Sequence, residues 1–272
     1  MKTLLLPLVS TGNVPQLMTD LVLHSLDSEF EFVRELDSLY VYPFTGPIDY
    51  VEGSGSNLYR TNPEKTFTTP VELFFNPKLE LYVIQQRSPI LPHYENQFCK
   101  NVIAPLIGEL NIGSLVVTDA TDSFGEHISV ASARRSPYSF GMCQVSQIDD
   151  LSGEFQQKLQ LRDVTTTPVN ETLFQFSSQS FQSGISTEQF IFKLCYHLLH
   201  TQKVLETLKE IRYFNIYVQE GDNSEDAVAA CEQVPQVITG FPRIATLRTP
   251  VSWNGVYGAR DAPSTFEEGL YI

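Results

Sequence analysis

No apolar run in this chain reaches the roughly 20 residues that a membrane-spanning helix needs. The opening apolar stretch, residues 3–9, is interrupted by Pro7 and lacks a small-residue cleavage site. It reads as a first strand and not as a signal peptide. Cysteine is scarce: Cys99, Cys143, Cys195 and Cys231 stand far apart without C-x-x-C spacing, which supports neither a disulfide framework nor a zinc site. They read as small core residues of a protein in a reducing compartment. Basic side chains are outnumbered, 18 against 32 acidic, and the formal charge of -14 repels nucleic acid and anionic lipid. Basic protein surfaces are the better-matched partners, with no nucleic acid and no membrane among them. Internal repeats are lacking as well, and 272 residues suffice for one large core.

What is present alternates between strand and helix patterns. After the strand at 3–9, Ser10-Thr11-Gly12-Asn13 is turn chemistry, and Val14, Leu17, Met18, Leu21, Val22 and Leu26 recur at helical spacing, with Pro15 at a first-turn position. Residues 37–70 carry turn signals at Pro43, Gly46-Pro47, Gly53 to Ser56 and Asn62-Pro63, so a short strand over 39–44 and a long irregular insertion are expected. Strands at 71–75 and 79–85 form a hairpin around Asn76-Pro77-Lys78. A helix that Pro105 kinks or restarts with a new turn is expected over 94–110, a short buried strand over 115–118, and a surface loop with His127 and Arg134-Arg135 over 121–137. A strand over 138–145 follows. The polar stretch 149–170 has no assignable pattern. Ser186 and Gln189 have capping-box spacing and open a helix running to Leu205. A strand over 211–218, a turn at 220–224, a helix over 226–234 capped by Asn223 or Ser224, and a last strand or extended segment over 244–247 complete one α/β domain.

Several residues carry chemistry if their surroundings allow it. A Ser/Thr/Gly loop opening a helix can cradle phosphate on free amides, although one glycine without a following Lys-Ser/Thr is a poor match to a P-loop. Arg87 at a strand end fits a contact to a ligand or partner, but an exposed structural arginine is the simpler expectation. Asp119, just past a buried strand, and the turn carboxylates Glu220 and Asp222 are acid/base candidates in an enzyme and ordinary loop and cap residues otherwise. His197 and His200 share a helix face, but no third ligand is nearby in the sequence and packing explains them.

The end of the sequence is organised differently. Trp253, the only tryptophan, and Tyr257 are placed to anchor the exit of the chain on the body. Residues 1–258 are thus expected to form the domain, and 259–272 a flexible tail. Gly269 uncouples Leu270, Tyr271 and Ile272 from the Glu267-Glu268 pair. A tail finishing in an apolar residue, a tyrosine and a carboxylate is suited to insertion into a pocket: Leu270 buries its isobutyl group, Tyr271 a ring with one polar tip, and the carboxylate takes charge-assisted hydrogen bonds.

Five runs, taken in order, carry a resemblance: residues 6–17, Gln85-Gln86-Arg87-Ser88-Pro89, Glu220-Gly221-Asp222-Asn223-Ser224, residues 252–258, and the final Leu270-Tyr271-Ile272. Together they resemble the fungal branch of the proteasome assembly chaperone family, over the whole length of the chain. The resemblance implies a three-layer α/β/α sandwich akin in architecture to nucleoside phosphorylases without their chemistry, no cofactor and no catalysis. It implies a heterodimer with proteasome assembly chaperone 1 on the outer face of the 20S α-ring, in the cytoplasm and the nucleus. The hydrophobic-Tyr-any ending, Leu270, Tyr271 and Ile272, would dock between α-subunits. A nucleoside hydrolase or phosphorylase and an activator of the mature proteasome remain as alternatives.

Overall fold

Leu4, Leu5 and Leu6 are all buried because both faces of their strand are covered, and a strand covered on both faces reads as a continuous apolar run. The computed structural model describes residues 1–55, 57–122, 138–145, 175–176 and 190–258. Its strands are β1 (Thr3–Pro7), β2 (Glu31–Glu35), β3 (Gly46–Pro47), β4 (Phe67–Thr68), β5 (Val71–Asn76), β6 (Leu81–Gln86), β7 (Ser114–Asp122), β8 (Tyr138–Gln144), β9 (Gln175–Phe176) and β10 (Glu210–Val218). The helices are α1 (Val14–Ser25), α2 (Glu95–Phe98), α3 (Ala104–Leu110), α4 (Phe190–Leu199), α5 (Gln202–Thr207) and α6 (Ser224–Val237).

Eight strands form one sheet in the order β2-β5-β6-β1-β7-β10-β8-β9, and β3 and β4 make a separate two-stranded ribbon within the insertion. The centre, β6-β1-β7-β10, is parallel. Antiparallel strands close both edges. Strand alternation then divides the core in two. Leu4, Leu6, Ile84, Leu115, Val117 and Ile211 pack against α2 to α5 on one face. Leu5, Val83, Val116, Phe214 and Ile216 pack against α1 and α6 on the other. The architecture is a three-layer α/β/α sandwich, as the sequence and the resemblance imply. Among the described residues, no helix is long and apolar enough to cross a membrane.

Several local expectations change. The expected strand over 39–44 reduces to one bridge, Val41 with Ile90, because Pro43 has no N–H with which to extend a ladder. The segment 244–247 is not a strand. Instead β2 supplies an edge strand that the charges of Glu31, Arg34 and Glu35 disguise, with a bulge between Phe32 and Arg34. In the helical run around Pro105, a π turn (Cys99–Ile103) separates α2 from α3, and the amide of Ala104 donates back to the Cys99 carbonyl. The helix expected to run from Ser186 to Leu205 is interrupted. Thr201 has extended backbone, and its hydroxyl donates to the His197 carbonyl at 2.8 Å, so α4 ends and α5 begins. The capping pair Ser186 and Gln189, the loop with His127 and Arg134-Arg135, and the polar stretch 149–170 lie outside the described residues. At α6 neither Asn223 nor Ser224 caps with its side chain; the Asp222 carboxylate accepts from the Ser224 amide at 3.1 Å.

Candidate functional site

The last described stretch, residues 241–258, runs back over the α1/α6 face as a strap. Phe241 and Trp253 are buried in that core, and Ile244, Leu247 and Tyr257 pack against it. The Trp253 and Tyr257 rings meet edge to face with centroids 5.7 Å apart. A strap whose regular structure is one 3-10 turn (Val251–Trp253) has backbone and side-chain donors to satisfy, and here carboxylates from three parts of the fold accept them. Asp27, just after α1, takes the Arg248 guanidinium at 3.2 Å, while Ser25 takes the Arg248 amide. Asp49, in the insertion, accepts from the Ser252 hydroxyl and amide. Asp20, inside α1, accepts from the Trp253 indole N–H at 3.2 Å. Asp222, in the turn before α6, accepts from the Gly258 amide at 2.7 Å. One backbone bond, from the Val251 amide to the Tyr50 carbonyl, joins strap to insertion.

Burying so many carboxylates requires cations, and the end of β6 provides one. Arg87, one residue past β6, lies 3.5 Å from both Asp20 and Asp49. Its side chain is only 17% exposed, which corrects the expectation of an exposed arginine. Burial acts to lower its pKa, but Asp20, Asp49, Tyr59 and Glu72 together outweigh that and the net shift is upward. A second group lies across the insertion: Lys65 bonds Glu72 at 2.9 Å and Glu35 at 2.7 Å, and the Tyr59 hydroxyl donates to Glu72. Burial opposes the Lys65 charge as well, yet its hydrogen bonds to Glu35 and Glu72 carry its pKa upward. His24 is buried one turn along α1 from Asp20, with its Nε2 3.9 Å from Asp49. Burial holds its pKa below the usual imidazole range against the pull of Asp20 and Asp49.

The other sequence candidates are not drawn together. Asp119 accepts from the Tyr213 hydroxyl at 2.8 Å on the α2–α5 side of the sheet, and burial raises its pKa. Asp222 is engaged with Ser224 and Gly258, and Glu220 is exposed. His197 contacts Asn96 and His200 contacts the Tyr196 carbonyl. Among the described residues no group of three or more His, Cys, Asp or Glu is placed to hold a metal. In the Ser10 to Asn13 loop, the Asn223 side chain lies against Gly12 where a Cβ would sit, so protein fills the notch before α1. Leu270, Tyr271 and Ile272 lie outside the described residues. Sequence reasoning missed Asp20, Asp27 and Asp49. A signal was available for Asp20: α1 is buried nearly all round, and a charge on such a helix requires a partner.

The sheet and its two helical layers define a three-layer α/β/α protein, with a polar clasp holding its exit strap. The chain belongs to the PAC2 family, whose pattern matches residues 4–238. A Saccharomyces cerevisiae protein named proteasome assembly chaperone 2 is 34% identical over 269 residues, covering 98% of each chain. A Mus musculus protein of the same name is 23% identical over 278 residues, covering 97% of this chain and 94% of that one. Among solved structures, a protein of unknown function from Thermoplasma acidophilum aligns over 90% of this chain and 78% of that one, with a TM-score of 0.52 and 8% identity, a likeness of fold alone.

Proposed function

We propose that this protein chaperones assembly of the 20S proteasome core without turning over a substrate. It works as a heterodimer with proteasome assembly chaperone 1 on the outer face of the α-ring, in the cytoplasm and nucleus. Leu270, Tyr271 and Ile272 dock between neighbouring α-subunits. The observation that carries this reading is the 34% identity, across nearly the whole of both chains, to a protein named for that role.

The magnitudes favour shared work by body and tail. Burying Leu270 and the Tyr271 ring contributes about 4 to 5 kcal/mol, and association plus ordering costs at least about 4 kcal/mol. The tail alone is therefore a millimolar-class ligand at best, and the folded body supplies the remaining affinity by making tail docking intramolecular. Affinity purification of the full chain from cells, with and without residues 270–272, tests the proposal. α-Subunits and a second chaperone are expected with the full chain, and α-subunits should be depleted on truncation. Equal recovery from both forms rules out tail docking, and recovery of no proteasome subunit rules out the assembly role.

A further inference from the structure

Helix α4 is apolar nearly all round, with only Lys193 and His197 polar among its ten residues, a composition that belongs to a helix covered on every side. Its buried residues are Ile191, Leu194, Cys195 and Leu198, whereas Tyr196 is 47% exposed. Single exposed apolar residues need no account, but here they adjoin one another. The Tyr196 ring centroid lies 4.2 Å from that of His200 and 5.3 Å from that of His197. His197 Nε2 is 3.0 Å from Asn96 Oδ1 on α2. Just before α2, Tyr94, 46% exposed, stacks on Tyr40 with centroids 6.0 Å apart, and Asn101 donates to the Tyr40 hydroxyl at 2.8 Å. Leu39, next in the chain to Tyr40, is 69% exposed. The result is one continuous aromatic surface on the outside of the α2–α5 layer. Rings already held by neighbours lose little freedom when a partner covers them.

Charge decides what kind of partner fits. The chain carries a formal charge of -14, yet residues 93–110 and 190–209, which build this layer, hold four lysines and three histidines against three glutamates. Lys193 is taken by Glu95, and Glu109 by Arg34. Lys100 and Lys203 are exposed and make no ion pair among the described residues. The stem of Lys203 lies over Gly108 of α3, 3.1 Å from where a Cβ would sit, so its charge is held at the surface beside α3. On the opposite side of the sheet, residues 213–242 carry five exposed carboxylates, Glu220, Asp222, Glu225, Asp226 and Glu232, and no lysine or arginine. Exposed tyrosines within a rim of unpaired lysines match the anatomy of a protein interface, where aromatic anchors sit inside a charged border. Resting on the heterodimer of the proposed function, we propose that the outer face of α2–α5 receives the second chaperone, with Tyr94 and Tyr196 as anchors and Lys100 and Lys203 in the rim. The partner meets it with an apolar patch bordered by aspartate and glutamate.

The test titrates the full chain against immobilised proteasome assembly chaperone 1 at low and at physiological salt. The variants are Tyr196→Ala, Tyr94→Ala, the charge-reversed pair K100E/K203E, the conservative pair K100R/K203R, and E225K/E232K on the opposite face. Alanine is the best helix former, so Tyr196→Ala keeps α4. If that variant still fails to fold, the lysine pairs decide the matter. Each aromatic truncation should weaken pairing about tenfold or more. K100E/K203E should weaken it about tenfold at low salt and remove the loss of affinity that salt causes in the wild type. K100R/K203R and E225K/E232K should pair as the wild type does. A wild-type chain that does not pair with the second chaperone contradicts the heterodimer itself and takes this inference with it. Wild-type pairing that the tyrosine and K100E/K203E variants leave unchanged overturns only the placement, also where those variants lose binding to α-rings or change self-association instead. Weakening that K100R/K203R or E225K/E232K reproduces marks a general effect on the fold and overturns the placement as well.

Discussion

The two faces of the sheet are built by different physics. The α2–α5 face is closed almost entirely by apolar side chains: Leu106, Ile107, Leu194 and Leu198 lie against Leu4, Leu6 and Val117. The α1/α6 face has an apolar core of similar extent, but its rim is fastened by buried Asp20, Asp27, Asp49, Glu72 and His24 working with Arg87, Lys65 and Arg248. Apolar burial is non-directional and tolerates small shifts, whereas a buried carboxylate demands donors at particular points. The first face supplies bulk stability. The second fixes where the insertion and the exit strap lie.

Four substitutions or conditions should separate the faces, in descending effect. Arg87→Met leaves Asp20 and Asp49 without their cation and should cost about 3 to 5 kcal/mol in urea unfolding. A neutral outcome would mean that the charges are dispensable and the faces alike. Leu194→Ala on the dry face should cost about 3 kcal/mol while leaving amide exchange in 248–258 at wild-type rates; faster exchange there would erase the distinction. Trp253→Phe keeps the ring but removes the donor to Asp20. It should cost about 1 to 2 kcal/mol, with exchange accelerated in the strap and unaltered in α4. His24 sharpens the comparison through pH. Below about 6.5 the unfolded chain binds a proton at this imidazole that the fold, with its lowered pKa, does not yet bind. Stability should therefore fall as pH falls through that window, by at most about 1.4 kcal/mol per unit. His24→Gln should flatten the slope in this window, and an unchanged slope would remove His24 from the account.

Legibility in the sequence follows the same division. Central strands and amphipathic helices come from local apolar periodicity, so β1, β5, β6, β10 and most of α1 could be placed from spacing alone. The dry face was accordingly readable. The clasp was not, because its pairs are 36 to 233 residues apart, as with Gly258 and Asp222 or Trp253 and Asp20, and no local pattern encodes which carboxylate meets which donor. β2 was hidden for a related reason: an edge strand carries charges that break alternation. Arg87 looked exposed because an arginine after a strand usually is, and only the fold brings Asp20 and Asp49 to it. Trp253 was legible as an anchor from its size and rarity, whereas its acceptor was not. The proposed docking role of Leu270, Tyr271 and Ile272 rests on the resemblance and on the chemistry of the ending.

The most direct measurement is photo-crosslinking from the tail during assembly. A photoreactive phenylalanine analogue is placed at Tyr271 in the full chain, expressed in cells, irradiated, and the adducts are identified by mass spectrometry. Adducts with peptides from neighbouring proteasome α-subunits are the predicted result. Irradiation that yields abundant adducts with other proteins and none with α-subunits would contradict the account.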